Sequence, residues 1–361
     1  MQIFNPVKAI LEKDAVKNHK SLMNFSGKCA LIVTGRNSAK KTGALYDVLD
    51  VLKEHGKEWI IFDEVTENPG FDLITKGLDF LGSKKADAVI GIGGGSPIDA
   101  SKAISVLHAN RNSSFEDIYK NPNLEAVPVF AVPTTSGTGS EMTQYSVLTN
   151  KDNVKSGFTN FNTFPKVSFV DPKYTLDMPW NITLSTAVDA FSHSAEGYMC
   201  ISADSYIKNI AENSMKAVKE NLENIKNKDS LELRTGLSFG SMTAGYVISH
   251  TGTVLPHSLG YGLTSEYGIK HGLATFLFII PVLKRLYDKN IKFDFVNNIF
   301  GSLKNMENYF DKLEINDYRV KISDEHIDLF SERVSKSGHV LKTPGNFTKK
   351  DIEELYLEVS L

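Results

Sequence analysis

One carboxylate and three imidazoles are the residues best suited to chemistry. In Val188-Asp189-Ala190-Phe191-Ser192-His193-Ser194-Ala195-Glu196, Asp189 and His193 stand four apart in a helical pattern, so both project from one face. His257 in LPHSLGYG and His271 in IKHGLA follow, in short segments of glycine and small residues that read as turns. One carboxylate and three histidines suit a divalent first-row ion and leave room for a substrate oxygen. A histidine standing alone is more often a hydrogen-bonded structural group, but four such residues together reverse that balance. Glu196 reads as a group behind the ligands rather than a ligand. His19, His55, His108, His250, His326 and His339 lack companions and read as structural. Only Cys29 and Cys200 are present, which excludes a multi-cysteine zinc site and a disulfide framework.

Two loops could hold a nucleotide. Gly91-Ile92-Gly93-Gly94-Gly95-Ser96-Pro97-Ile98-Asp99 follows a β-rich run and opens a helix, with Pro97 suited to its first turn. Adjacent glycines let backbone approach a ligand closely, and free amides at a helix start attract phosphate. The glycine spacing is not that of the usual dinucleotide fingerprint, so the segment taken alone also reads as a tight strand-to-helix turn. Pro133-Thr134-Thr135-Ser136-Gly137-Thr138-Gly139-Ser140-Glu141 gathers hydroxyls and glycines after a second strand. It reads either as a solvated turn or as a partner for phosphate and ribose oxygens. Two such loops after successive strands favour a nucleotide between them, because open α/β sheets bind ligands at the carboxyl ends of their strands.

The elements that position these groups fall into two halves. CALIVTG, WIIFDEV, ADAVIGIGGGS, VPVFAVPTT and KVSFVDP read as strands, with helical patterns over Lys40 to His55, Asp72 to Ser83 and PIDASKAISVLH. Such alternation predicts a parallel sheet with helices on its faces. Beyond Met178-Pro179 long helical patterns take over, at Ser185 to Cys200, Asp204 to Lys226 and Leu231 to Thr251. The expectation is a dinucleotide-binding α/β domain over 1–179 and a helical metal-binding domain over 180–361.

The bulk numbers agree. A chain of 361 residues with 41% hydrophobic and 23% charged residues supports ordinary folded domains rather than disorder. A net charge of −3 with dispersed Lys and Arg gives nucleic-acid binding no support. The apolar stretch from Leu273 to Leu283 is about half of what a membrane helix requires. The amino-terminal segment does not read as a signal peptide, so no membrane association and a cytoplasmic location are expected.

GGGSPIDASKAI, PTTSGTGSE, DAFSHSAEGY, and His257 followed by His271-Gly272 occur in one order along the chain. Together they resemble the iron-containing, or group III, alcohol dehydrogenases. The resemblance extends from about Lys28 to the FTKKDIEELY segment. It implies an amino-terminal Rossmann-like domain, a helical metal-binding domain of the dehydroquinate synthase-like type, and an active-site cleft between them. It places Fe2+, with Zn2+ as a substitute, on Asp189, His193, His257 and His271. It places the cofactor on Gly93, Gly94, Gly95, Ser96 and Asp99, on Thr134, Thr135 and Thr138, and more loosely on Lys155, with Asn68 and Thr143 as additional contacts.

Two departures from the family pattern matter. Where NAD-using members carry an aspartate after the first strand, this chain reads Thr34-Gly35-Arg36-Asn37-Ser38. Gly35, Arg36 and Ser38 would accept a 2′-phosphate that an acid would repel, so NADP is expected over NAD. Many members also place a proton-relaying histidine four residues after the third ligand, and here that residue is Tyr261. Either Tyr261 relays the proton through its hydroxyl, or ribose hydroxyls and water carry it, or Tyr261 only forms part of the cleft wall; the last two together are expected. The expected activity is interconversion of a short primary alcohol and its aldehyde by hydride transfer. A glycerol or diol dehydrogenase, a dehydroquinate synthase-type lyase and a non-catalytic nucleotide-binding protein are the rival readings. A homodimer is the expected assembly.

Overall fold

The computed structural model describes residues 3–151, 155–226 and 228–361. Six parallel strands form one sheet: β1 (Lys8–Leu11), β2 (Cys29–Thr34), β3 (Glu58–Phe62), β4 (Ala88–Gly93), β5 (Val129–Pro133) and, after a hairpin, β8 (Val167–Val170). Their order across the sheet is β1-β8-β5-β4-β2-β3. The inner strands are apolar at nearly every position because both faces are covered. Ala30 and Ile32 of β2 pack on one face with Ala44 and Val48, while Leu31 and Val33 pack on the other with Ile74 and Ala103. That is the two-residue alternation of a strand shared between two helical layers.

The structure adds to the expected elements. Lys8–Leu11, a strand the sequence did not announce, pairs in parallel with β8, the last strand of the sheet along the chain. β6 (Tyr145–Thr149) and β7 (Lys155–Thr159) form a separate antiparallel pair. The single helical stretch expected over Lys40 to His55 is instead two helices, Ser38–Lys41 and Ala44–Glu54. Gly43 separates them with φ of 85°, a left-handed value that a helix interior does not admit.

Among the described residues no strand follows Val170, and Pro179 caps the helix Trp180–Met199. This helix is buried almost all round from Thr183 onward, so it lacks the one-sided apolar stripe of a surface helix. The helices Ser205–Ile225, Leu231–Thr251 and His271–Phe276 pack around it. At its start Arg234, only 3% exposed, donates to the Met178 carbonyl and the Thr183 hydroxyl and is paired by Asp229. One buried guanidinium thus pins the junction between sheet and helices. No helix among the described residues is long and apolar enough to cross a membrane.

Candidate metal centre and cofactor cleft

Asp189, His193 and Glu196 share one face of the buried Trp180–Met199 helix. His257 lies in the first turn of Leu255–Tyr267, and His271 is the first residue of His271–Phe276. Both therefore sit in helix starts rather than in the turns expected for them. Gly272 allows the close approach: a Cβ there would lie 1.9 Å from the Ser185 carbonyl oxygen and 2.7 Å from Asp189 Cβ. A side chain at 272 would push His271 off the central helix.

The four groups converge. His257 Nε2 is 3.1 Å from His193 Nε2 and 3.2 Å from His271 Nε2. Asp189 Oδ1 is 4.0 Å from His193 Nε2 and 3.9 Å from His271 Nε2. Donor atoms of Asp189, His257 and His271 lie within 4.8 Å of one another. On the far side of its ring, His257 Nδ1 donates to Glu196 Oε1 at 2.6 Å, and Glu196 Oε2 accepts from the Val254 amide at 2.8 Å. With its proton on Nδ1, His257 presents a bare Nε2 lone pair toward two other imidazoles. One lone pair can satisfy one of these contacts, not both.

Asp189 Oδ1, although buried, also has no hydrogen-bond partner among the described residues. A buried polar atom left unmatched costs about 1–3 kcal/mol. A divalent cation among the four side chains removes both deficits. Burial holds His257 down to about 4 and His271 well below its ordinary value, and it lowers His193 as well. Each imidazole is therefore neutral at pH 7, the form that ligates a metal. Glu196 is pushed upward by burial, with the Val254 and His257 hydrogen bonds opposing.

The two loops expected to hold a nucleotide lie side by side. Gly93 has φ of 148°, and Gly94 caps the helix Gly95–Ala109 without a side chain over its free amides. A Cβ on Gly94 would be 3.2 Å from Thr135 Oγ1, and one on Gly95 would be 2.7 Å from Thr138 Cγ2. The threonine loop also touches the helical half, where Gly139 backs onto Gly245 and Ser136 Oγ lies 2.9 Å from Ser238 Oγ. Ser96, Thr135 and Thr138 are half-buried at this junction, while Thr134 is buried with an unpartnered hydroxyl.

Asp99 and Thr143 are engaged within the protein. Asp99 accepts from Ser140 Oγ at 2.5 Å and from the Val147 amide at 3.0 Å. Thr143 Oγ1 accepts from Lys102 Nζ at 3.2 Å, and that buried ammonium also bonds Ser140 and Tyr145. These residues fix the loops from behind. Asn68, in a left-handed turn, is exposed and bonds the β6 end through its carbonyl.

Gly35, Arg36 and Ser38 occupy the loop after β2, where Arg36 is largely exposed. The acids at the end of β3 are already paired, Asp63 with Lys40 at 2.6 Å and Glu64 with Lys76 at 2.6 Å, leaving Arg36 a long 3.9 Å contact to Glu64. Lys155 opens β7. Burial lowers it to about 8 against the charges of Asp189 and Glu67, and its own charge acts on His257 and His271. It therefore borders the candidate metal centre.

Two further groups stand beside the four converging side chains. Glu196 stands three residues after His193, and that spacing on one helix face was the available signal for its contact with His257. His339, read as structural, faces Tyr261 with ring centroids 6.2 Å apart. No local pattern in KSGHVLK announces that position.

Comparison with known proteins extends these observations over the whole chain. The model of the iron-containing alcohol dehydrogenases matches residues 6–172, and the model of the carboxyl-terminal part of the same family matches residues 183–360. An NADPH-dependent butanol dehydrogenase of Clostridium saccharobutylicum is 31% identical over 270 residues, covering 73% of this chain and 69% of that protein. A 1,3-propanediol dehydrogenase of Citrobacter freundii is 27% identical over 359 residues, covering 92% and 91%. The crystal structure of an iron-containing alcohol dehydrogenase from Thermotoga maritima superposes with a TM-score of 0.92 at 37% identity, over 99% of both chains.

Proposed function

Since the chain belongs to the iron-containing alcohol dehydrogenase family and is an oxidoreductase acting on an alcohol, we propose that it interconverts short primary alcohols and aldehydes with NADP(H). The metal centre is assigned to Asp189, His193, His257 and His271, and Fe2+ is the proposed ion, with Zn2+ as a substitute. The observation that carries this reading is the convergence of three Nε2 atoms on an unpartnered Asp189 Oδ1.

When bound, the ion supplies Lewis acidity toward the substrate oxygen, and the nicotinamide carries the hydride. The chain's own residues do the rest. Glu196 holds the His257 ring with Nε2 toward the centre, and Gly272 lets His271 reach it. Gly93 to Ser96 and the Thr134, Thr135 and Thr138 loop cradle the pyrophosphate, with Asp99 and Thr143 bracing that loop. Lys155 provides a positive charge at the junction. Arg36, with Gly35 and Ser38, receives the 2′-phosphate, because the acids near it are neutralised by Lys40 and Lys76. Asn68 lies on the same rim.

A homodimer is proposed, since β1 is an edge strand with exposed Phe4 beside it, and such an edge favours pairing with a second copy. A cytoplasmic location is proposed from the two free cysteines.

The test is anaerobic purification with metal analysis, followed by oxidation of NADPH and NADH with butyraldehyde. Stoichiometric iron or zinc with faster NADPH turnover supports the reading. A metal-free protein that is equally active, or one with no turnover after Fe2+ is added, sinks it.

A further inference from the structure

Lys102 lies in the helix Gly95–Ala109, whose start faces the threonine loop, and it is 0% exposed. Its Nζ donates to the Ser140 carbonyl at 2.7 Å, to Ser140 Oγ at 2.8 Å, to Thr143 Oγ1 at 3.2 Å and to the Tyr145 carbonyl at 2.7 Å. All four acceptors belong to one short segment, 140–145, directly after the threonine loop. Asp99 Oδ1 is 4.0 Å away, so hydrogen bonds to that segment, more than a direct ion pair, satisfy the side chain. Burial lowers Lys102 to about 8 against the charges of Asp99 and Glu141, so at pH 7 it is mostly an ammonium, with three protons for four oxygens.

A cation withdrawn from water is costly unless its lost hydrogen bonds are replaced. Here one segment replaces them, and the path of contacts returns to the start of the helix. The Ser140 amide donates to Thr138 Oγ1 at 3.3 Å, and a Cβ on Gly95 would be 2.7 Å from Thr138 Cγ2. Asp99, three residues before Lys102 on the same helix face, holds the segment a second time, accepting from Ser140 Oγ at 2.5 Å and from the Val147 amide at 3.0 Å. A closed loop of contacts thus runs from the body of the helix, through Ser140 and Thr138, back to its free amides. Among the described residues, removing the ammonium leaves Asp99 as the remaining side-chain tie from this helix to Ser140.

We propose that Lys102 is a positioning residue for the dinucleotide: it sets the distance between the threonine loop and the glycine-rich helix start, and with it the affinity for the pyrophosphate. The proposal rests on the nucleotide reading above.

The test uses wild type and Lys102→Met, which keeps an unbranched stem and removes the ammonium. NADPH affinity is read from the fluorescence of bound nucleotide, ADP affinity from its competition with NADPH, and Zn2+ affinity from competition with a chelator. Both nucleotide dissociation constants are expected to rise about 10- to 100-fold, the range for a hydrogen-bonded charge, with the loss falling on KM for NADPH more than on kcat. Zn2+ affinity is expected to hold, because the four candidate ligands come from other helices. Thr138→Val is expected to weaken NADPH binding in the wild-type background and to add little in Lys102→Met, where the loop is no longer held. Should Lys102→Met fail to fold, Ser140→Ala removes the hydroxyl shared by Lys102 and Asp99 and is expected to raise both nucleotide constants about 3- to 10-fold. Unchanged nucleotide constants in a folded variant, equal losses of nucleotide and Zn2+ affinity, or additive effects of Thr138→Val overturn the proposal. Failure of the wild type to bind either NADPH or NADH overturns the nucleotide reading, and this proposal with it.

Discussion

His257 and Glu196 form a buried pair 2.6 Å apart, from helices that meet only in the folded chain. The pair orients an imidazole whose opposite nitrogen faces the candidate ion. Removing the carboxylate in Glu196→Ala is expected to weaken metal binding about 10- to 100-fold, as loss of such supporting groups typically does. Competition with a chelator of known affinity measures it. An unchanged metal affinity in a folded variant would show that His257 is held by its helix alone.

Asp189 tests the centre directly. Asp189→Ala is expected to abolish stoichiometric metal binding and alcohol turnover while NADPH binding persists, because the nucleotide loops are built from other elements. Metal analysis and NADPH fluorescence separate the two effects. Full activity in the metal-stripped variant would falsify the assignment.

Gly272→Ala places a methyl group against backbone rather than against a flexible side chain. Overpacking of this kind costs about 1–3 kcal/mol. The expected outcome is a lower Tm together with weaker metal binding, since the strain is relieved by moving His271. Calorimetry with and without added metal tests this, and an unaltered Tm would mean the two helices can part without cost.

Arg36→Ala is expected to raise KM for NADPH at least about 10-fold and leave KM for NADH nearly unchanged, given the usual strength of a charged hydrogen bond. Equal effects on both nucleotides would place Arg36 outside the 2′-phosphate contact.

Asp47 makes the amino-terminal half sensitive to acid. Burial alone would raise its carboxyl, but hydrogen bonds from Lys17, Lys173 and Tyr174 outweigh it and hold the folded value below the ordinary one. A depressed folded value contributes stability above the unfolded pKa of about 3.9, and that contribution is lost as pH falls through the folded value. Unfolding free energy measured in urea from pH 7 to 3 should therefore fall more steeply below about pH 4 in wild type than in Asp47→Asn. Parallel curves would remove Asp47 from the linkage.

Much of this molecule was legible locally. The strands showed as short apolar runs, the long helices after Pro179 as periodic patterns, and Asp189 with His193 as a pair four residues apart. Those features depend on backbone geometry within a few residues, and sequence carries that geometry directly. The misread details were also local in cause: the helix expected over Lys40 to His55 contained Gly43, whose backbone breaks it.

Sequence by itself therefore determined the residue types of a candidate metal centre, two glycine- and threonine-rich loops proposed for a nucleotide, and the alternating pattern of a covered sheet. Only the tertiary structure decided what those residues face. It brought His257 and His271 from separate helix starts onto the Asp189 helix, put Glu196 behind His257, and set His339 opposite Tyr261. These contacts arise from the packing of whole helices, with Gly272 permitting the closest approach. A packing distance between distant segments leaves no period in the chain to be read.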